Sequence, residues 1–184
     1  MKKTILSLLL LSVFTLAKAQ KSLPEIKVGT TMQASAFVNG SEFPLQLSIK
    51  SLAAPVSIGW SVDGYGEGSF EMSDKALESA TNMSANGQPA LGVTKLTDNE
   101  TFGLISKAAY KSLSESKTFT YGGVKYSLKI PDTKPMKVDG KDADVTHVVS
   151  EDGKMELWIL NNPALPLIFQ SSGMATDIVI NSVK

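Results

Sequence analysis

The chain has no cysteine, no arginine and a single histidine. Without cysteine there is no disulfide, no thiol nucleophile and no Cys-ligated metal. Nor is there a Cys on which an exported chain could carry an N-terminal lipid, so it is not read as a lipoprotein. Without arginine there is no planar fork for bidentate capture of phosphate or carboxylate. One histidine falls short of the several His or Cys ligands that a typical zinc site uses. Long hydrophobic runs are scarce too. The main one, Ile5 to Leu16, is well short of the roughly twenty residues a spanning helix needs.

That run is flanked by Lys2 and Lys3 on one side and by Ala17-Lys18-Ala19 on the other. A positive start, a short apolar stretch and a small-x-small site are the three parts of a cleaved export signal. Residues 1–19 therefore read as a signal peptide and 20–184 as one secreted domain, periplasmic or extracellular. Loss of Lys2, Lys3 and Lys18 takes the eighteen basic residues, all lysine, to fifteen against eighteen acids, a net charge of about −3. Such a balance argues against nucleic acid, whose phosphates demand a basic face. About 165 mature residues suffice for one domain that buries around two-thirds of its unfolded surface.

What the chain does have is a series of short β-prone runs punctuated by turn dipeptides. Residues 27–38 and 43–52 flank Asn39-Gly40, and residues 55–62 and 68–72 flank Asp63-Gly64. Residues 117–121 and 124–130 flank Gly122-Gly123, and residues 144–150 and 154–160 flank Asp152-Gly153. These dipeptides supply the φ > 0 residues of tight hairpins, so each pair reads as antiparallel neighbours. Residues 165–170 and 175–183 close the series. In 43–50 and 124–130 apolar and polar residues alternate, giving one buried and one wet face.

Two helices are expected in mid-chain. The stronger follows Thr97 and Glu100, which have the spacing of a capping box, and runs to about Ser114 with Phe102, Ile105, Ala109 and Leu113 on one face. The weaker follows the N-cap candidate Ser73 and covers about 75–82. The fold class is thus α+β: a strongly curved, largely antiparallel sheet of nine to eleven strands, an open half-barrel, with two helices inserted mid-chain.

Motifs that carry chemistry are few. His147 shares an alternation face with Ala143, Val145 and Val149 and reads as a core or rim histidine rather than a base. Ser114-x-x-Lys117 falls at a helix end and reads as a chance match. The Asp-Gly pairs at Asp63, Asp139 and Asp152 are turns. Asp139, Asp142 and Asp144 resemble the start of a calcium loop but lack its glycine and distal glutamate, so a solvated loop accounts for them. Residues 64–68 are glycine-rich with the wrong spacing for a nucleotide and read as a bend. No cofactor, metal or catalytic residue is assigned. The most distinctive stretch is the nearly continuous apolar run from Trp158 through Phe169, which means burial on both faces or a lining turned toward something apolar.

Three stretches, 98–102, 119–126 and 156–168, together resemble the LolA-like family, carriers related to the outer-membrane lipoprotein carrier; the resemblance spans about Thr97 to Lys184. It implies a curved antiparallel sheet with helices against its concave side and an apolar pocket between them. The family's inward arginine has no counterpart here. The leading expectation is a non-catalytic envelope protein that shelters a lipid or acyl chain, lined by Phe102, Ile105, Leu113, Trp158, Leu160 and Leu167. An alternative is a structural module that binds another secreted or outer-membrane protein, told apart by an exposed rather than a concave apolar surface. A hydrolase built on a carboxylate pair is the third reading.

Overall fold

The computed structural model describes residues 21–84 and 89–184; the leader expected at 1–19 lies outside them. The first half opens with β1 (Thr31–Val38), β2 (Ser41–Ser51), β3 (Val56–Val62) and β4 (Gly66–Met72). Helix α1 (Asp74–Ser79) and the short strands β5 (Asn82–Met83), β6 (Gly92–Lys95) and β7 (Glu100–Thr101) follow. The second half begins with α2 (Lys107–Ser116), β8 (Thr118–Tyr121) and β9 (Val124–Leu128). A small hairpin of β10 (Lys137–Val138) and β11 (Lys141–Asp142) precedes β12 (Val145–Ser150), β13 (Glu156–Leu160), β14 (Ile168–Ser172) and β15 (Thr176–Val183).

Eleven strands form one sheet in the order β6-β4-β3-β2-β1-β15-β14-β13-β12-β9-β8, antiparallel except where β6 runs parallel to β4. The sheet is two sequence-local halves joined along a seam, where β1 pairs with β15. The large, mostly antiparallel sheet and the two mid-chain helices match the reading from sequence. So do the hairpin turns: Asn39-Gly40 and Gly122-Gly123 both sit at positive φ, the conformation that matches the twist of the flanking strands. Among the described residues no helix is long and apolar enough to cross a membrane.

The capping box at Thr97 does not open a helix. Glu100 accepts hydrogen bonds from the Thr97 amide and hydroxyl, at 3.3 and 2.8 Å, and so closes a turn. The chain then pairs as β7 with β5. Gly103 follows at φ +68°, a conformation that ends any right-handed helix passing through it. Helix α2 starts only at Lys107, where the Ser106 hydroxyl accepts from the Ala109 amide at 3.3 Å. Phe102 and Ile105 therefore lie on the segment before the helix, while Ala109 and Leu113 form its buried face. The stretch 139–144 likewise contains a turn and the strand β11 rather than a plain solvated loop: Asp142 pairs with Lys137 at 3.1 Å.

That segment before α2 is held by a buried polar knot. Thr101 has no exposed surface. Its hydroxyl lies 2.6 Å from the Leu104 carbonyl and 2.6 Å from the Tyr121 hydroxyl. Thr101 has one proton and gives it to the carbonyl, so Tyr121 donates to Thr101. Burial pushes the Tyr121 phenol above its ordinary pKa, opposed by the bond to Thr101. We predict that Thr101→Val, which keeps the shape but orphans both partners, costs about 1–3 kcal/mol in urea unfolding. The double variant with Tyr121→Phe should cost less than the sum of the singles; strict additivity would show that the two groups are not coupled.

Candidate functional site

On one face of the sheet, five adjacent strands and the segment before α2 line a half-open cavity of about 400 Å³. Strand alternation decides which residues line it. Ala36 of β1 stands between its cross-strand partners Phe43 of β2 and Ile178 of β15, and all three reach the cavity. Depth comes from side-chain size: the buried residues of β1 are Met32, Ala34 and Ala36, so the central strand carries its smallest side chains where its neighbours carry large ones. Trp60 of β3 and Ile168 of β14 complete the flanks. Phe102 lines one side of the cavity and is stacked on Phe70 with ring centroids 4.1 Å apart. Met83 and Met174, both flexible thioethers suited to adaptable surfaces, also border it.

Trp60 is placed by a glycine. A Cβ at Gly68 would stand 2.9 Å from the Trp60 ring and 2.6 Å from the Gly92 carbonyl. Only a bare backbone on β4 lets the indole lie across it while β6 pairs alongside. Tyr65 stacks on the same indole at 5.8 Å and donates to the Pro89 carbonyl at 3.0 Å. The lining is apolar apart from a few hydroxyl-bearing side chains, and no Lys, Asp, Glu or His is among its described residues.

Of the six residues read from sequence as a lining, Phe102 borders this cavity. Ile105 and Leu113 lie in a smaller core beneath α2, with Phe119, Tyr126 and Leu157. Trp158, Leu160 and Leu167 are buried in the larger core. Trp158 alternates with Leu157 and Ile159 and so faces the other side of the sheet, where its indole donates to the Lys134 carbonyl at 3.1 Å. The residues that sequence reasoning missed are Ala36, Trp60, Thr176 and Ile178. Their inward direction follows from alternation in 43–50 once the registers of β2 with β1 and β3, and of β1 with β15, are known, and the last of these is long-range.

A second arrangement surrounds the lone histidine. His147 is stacked on Trp158 with centroids 4.0 Å apart, and its side chain is 1% exposed. Nδ1 lies 3.0 Å from Asp132 and Nε2 lies 3.2 Å from Glu156, which also receives Lys134 at 2.9 Å. Both contacts are hydrogen bonds only when the ring carries two N–H groups. With so little surface, the imidazole ties a loop to the sheet, in line with the core histidine expected from sequence. Burial works against the Asp132 anion, but hydrogen bonds from His147 and the Lys134 amide outweigh it, so its pKa lies below the ordinary value. The bond from Lys134, with a smaller contribution from His147, holds Glu156 below its usual range as well.

Comparison with protein-family models, with curated proteins and with solved structures finds no match for this chain.

Depressed carboxylates stabilise the fold above their unfolded pKa values, about 3.9 for Asp and 4.3 for Glu, and that contribution is lost as pH falls through the lower folded values. We therefore predict that Glu156→Gln lowers the urea midpoint at about pH 6 and that the deficit shrinks as pH falls below about 4.3 and through the lowered folded value, where wild type loses the same contribution. A deficit that stays constant as the carboxylate is titrated would mean that charge at Glu156 is immaterial.

Proposed function

We propose that this chain is a non-catalytic, exported envelope protein that shelters an apolar ligand such as a lipid or acyl chain, in the manner of the LolA-like carriers its second half resembles. The observation that carries the reading is the cavity of about 400 Å³. It falls within the roughly 300–1,000 Å³ of typical small-molecule sites, which are concave, mostly apolar and few per protein. Export, to the periplasm or beyond, is inferred from the leader at residues 1–19. In this reading the sheet bends round the ligand as an open half-barrel; residues from β3, β2, β1, β15 and β14 converging on one cavity favour it.

A protein partner is the second reading. Leu91 and Val93 are 63% and 61% exposed, and Val93 lies on β6, at the end of the main sheet, where backbone groups are open to another strand.

Expressed with its own leader in a Gram-negative host and purified from the periplasm, the protein should show a stoichiometric adduct of lipid mass by native mass spectrometry. Ala36→Leu, which fills the cavity floor, should abolish the adduct while the protein stays folded. Trp158→Phe, on the opposite face, should retain it. A bare mass with no uptake on incubation with extracted lipid would overturn the carrier reading and leave the edge of β6 as the surface to pursue.

A further inference from the structure

The cavity has the volume and the reach of one hydrocarbon chain. A dry apolar cavity of about 150 Å³ takes one benzene ring, roughly 25 Å³ per carbon. By that measure the space of about 400 Å³ holds roughly sixteen carbons. The span agrees. Lining residues run from Trp60 on β3 through Phe43, Ala36 and Ile178 to Ile168 on β14, one on each of five neighbouring strands. With strands about 4.8 Å apart, the crossing from β3 to β14 measures about 19 Å. An extended chain advances about 1.2 Å per bond, so that crossing also takes roughly sixteen carbons.

Nothing in the lining is built to hold a charged head group. No Lys, Asp, Glu or His is among its described residues. The Trp60 Nε1 and the Thr176 hydroxyl are fully buried and do not open onto the space. The Ser171 hydroxyl accepts from the Ile178 amide at 3.0 Å and lies 3.3 Å from the Asp177 carboxylate, and the Tyr65 hydroxyl donates to the Pro89 carbonyl. A charged head drawn inside would lose its water and gain no counter-ion, which is strongly disfavoured. The half-open side leaves it a place in solvent.

Resting on the reading of this cavity as a ligand site, we infer that its ligand is a single-chain lipid of about twelve to sixteen carbons, held by the chain alone with its head group outside. A diacyl lipid carries about twice the carbon that the cavity covers. Each methylene it left in water would weaken its transfer from a bilayer about fourfold, so it stays in the bilayer.

Displacement of cis-parinaric acid, a fluorescent single-chain acid, from delipidated protein reads the affinities. For straight-chain alkanoates of about eight to eighteen carbons at about pH 8, where the acid is ionised, affinity should rise about fourfold per methylene. It should level off between about twelve and sixteen carbons. Dodecyl maltoside, with a neutral head, should bind within about tenfold of dodecanoate, less than two methylenes contribute. Protein re-isolated from dimyristoyl phosphatidylcholine vesicles should carry no phospholipid, whereas myristoyl lysophosphatidylcholine should co-purify with it. Ile178→Ala removes three side-chain carbons beside Ala36 and should move the levelling-off to longer chains by about as many. If that variant does not fold, the wild-type series decides alone. Affinity still rising at the longest chain, a levelling-off that Ile178→Ala leaves in place, a larger effect of the head group, or uptake of the diacyl lipid would each overturn this inference while leaving the cavity a ligand site. Failure of every single-chain probe to bind would overturn the ligand-site reading as well.

Discussion

The pairing of Thr31–Val38 with Thr176–Val183 joins the first and last strands of the sheet, and the rest of the architecture depends on it. Each half of the chain is a run of mostly hairpin-connected neighbours, with local turns and local registers. Neither half encloses a cavity alone. Across the seam, Ala36 meets Ile178 and Ala34 meets Ile180, so one inward face becomes continuous from β3 to β14. A slip of one residue at the seam would turn those side chains outward. The contact also spans almost the whole described chain, and closing so long a loop has an entropic cost that only a large buried area can offset.

Small side chains at the seam explain why that face holds space rather than solid core. Interiors normally pack to crystal-like density, and elsewhere this protein does: Phe70, Phe169, Leu157 and Ile159 are all essentially without exposed surface. At Ala36 the central strand gives up volume, while Phe43 and Trp60 hold the walls apart. Glycine at position 68 then lets the indole lie flat against β4. The opposite side of the second half is organised differently. There His147, Trp158, Asp132 and Glu156 form a polar tie around the buried imidazole that fixes the loop after β9 to the strands β12 and β13. Apolar space on one face and a polar tie on the other distinguish the two sides of the sheet.

Much of this was legible before any coordinates. Alternation in 43–50 marks its inward face, and Asn39-Gly40 and Gly122-Gly123 name their turns, because both signals are local: φ > 0 and a period of two are properties of neighbouring residues. The helix expected after Thr97 shows where local signals mislead. Thr97 and Glu100 do bond to each other, but the same bonds serve a turn, and Gly103 takes the positive φ that ends the helix expected there, a conformation that a glycine permits but does not announce. Phe102 reaches the cavity from an irregular segment rather than a helix, stacked on Phe70, which lies 32 positions earlier.

The sequence by itself determined the class of the protein and its exclusions. Strand spacing and turn chemistry require a sheet-rich α+β domain, and the missing cysteine and arginine remove whole families of chemistry whatever the fold. Tertiary structure alone decided where the apolar residues meet. Trp60 and Trp158 both sit in apolar strands and cannot be told apart by composition or period. Yet one indole borders the cavity, its N–H buried without a partner among the described residues, and the other is capped by a carbonyl in the core. That difference comes from strand register and from contacts between residues far apart in the chain, which no local pattern encodes.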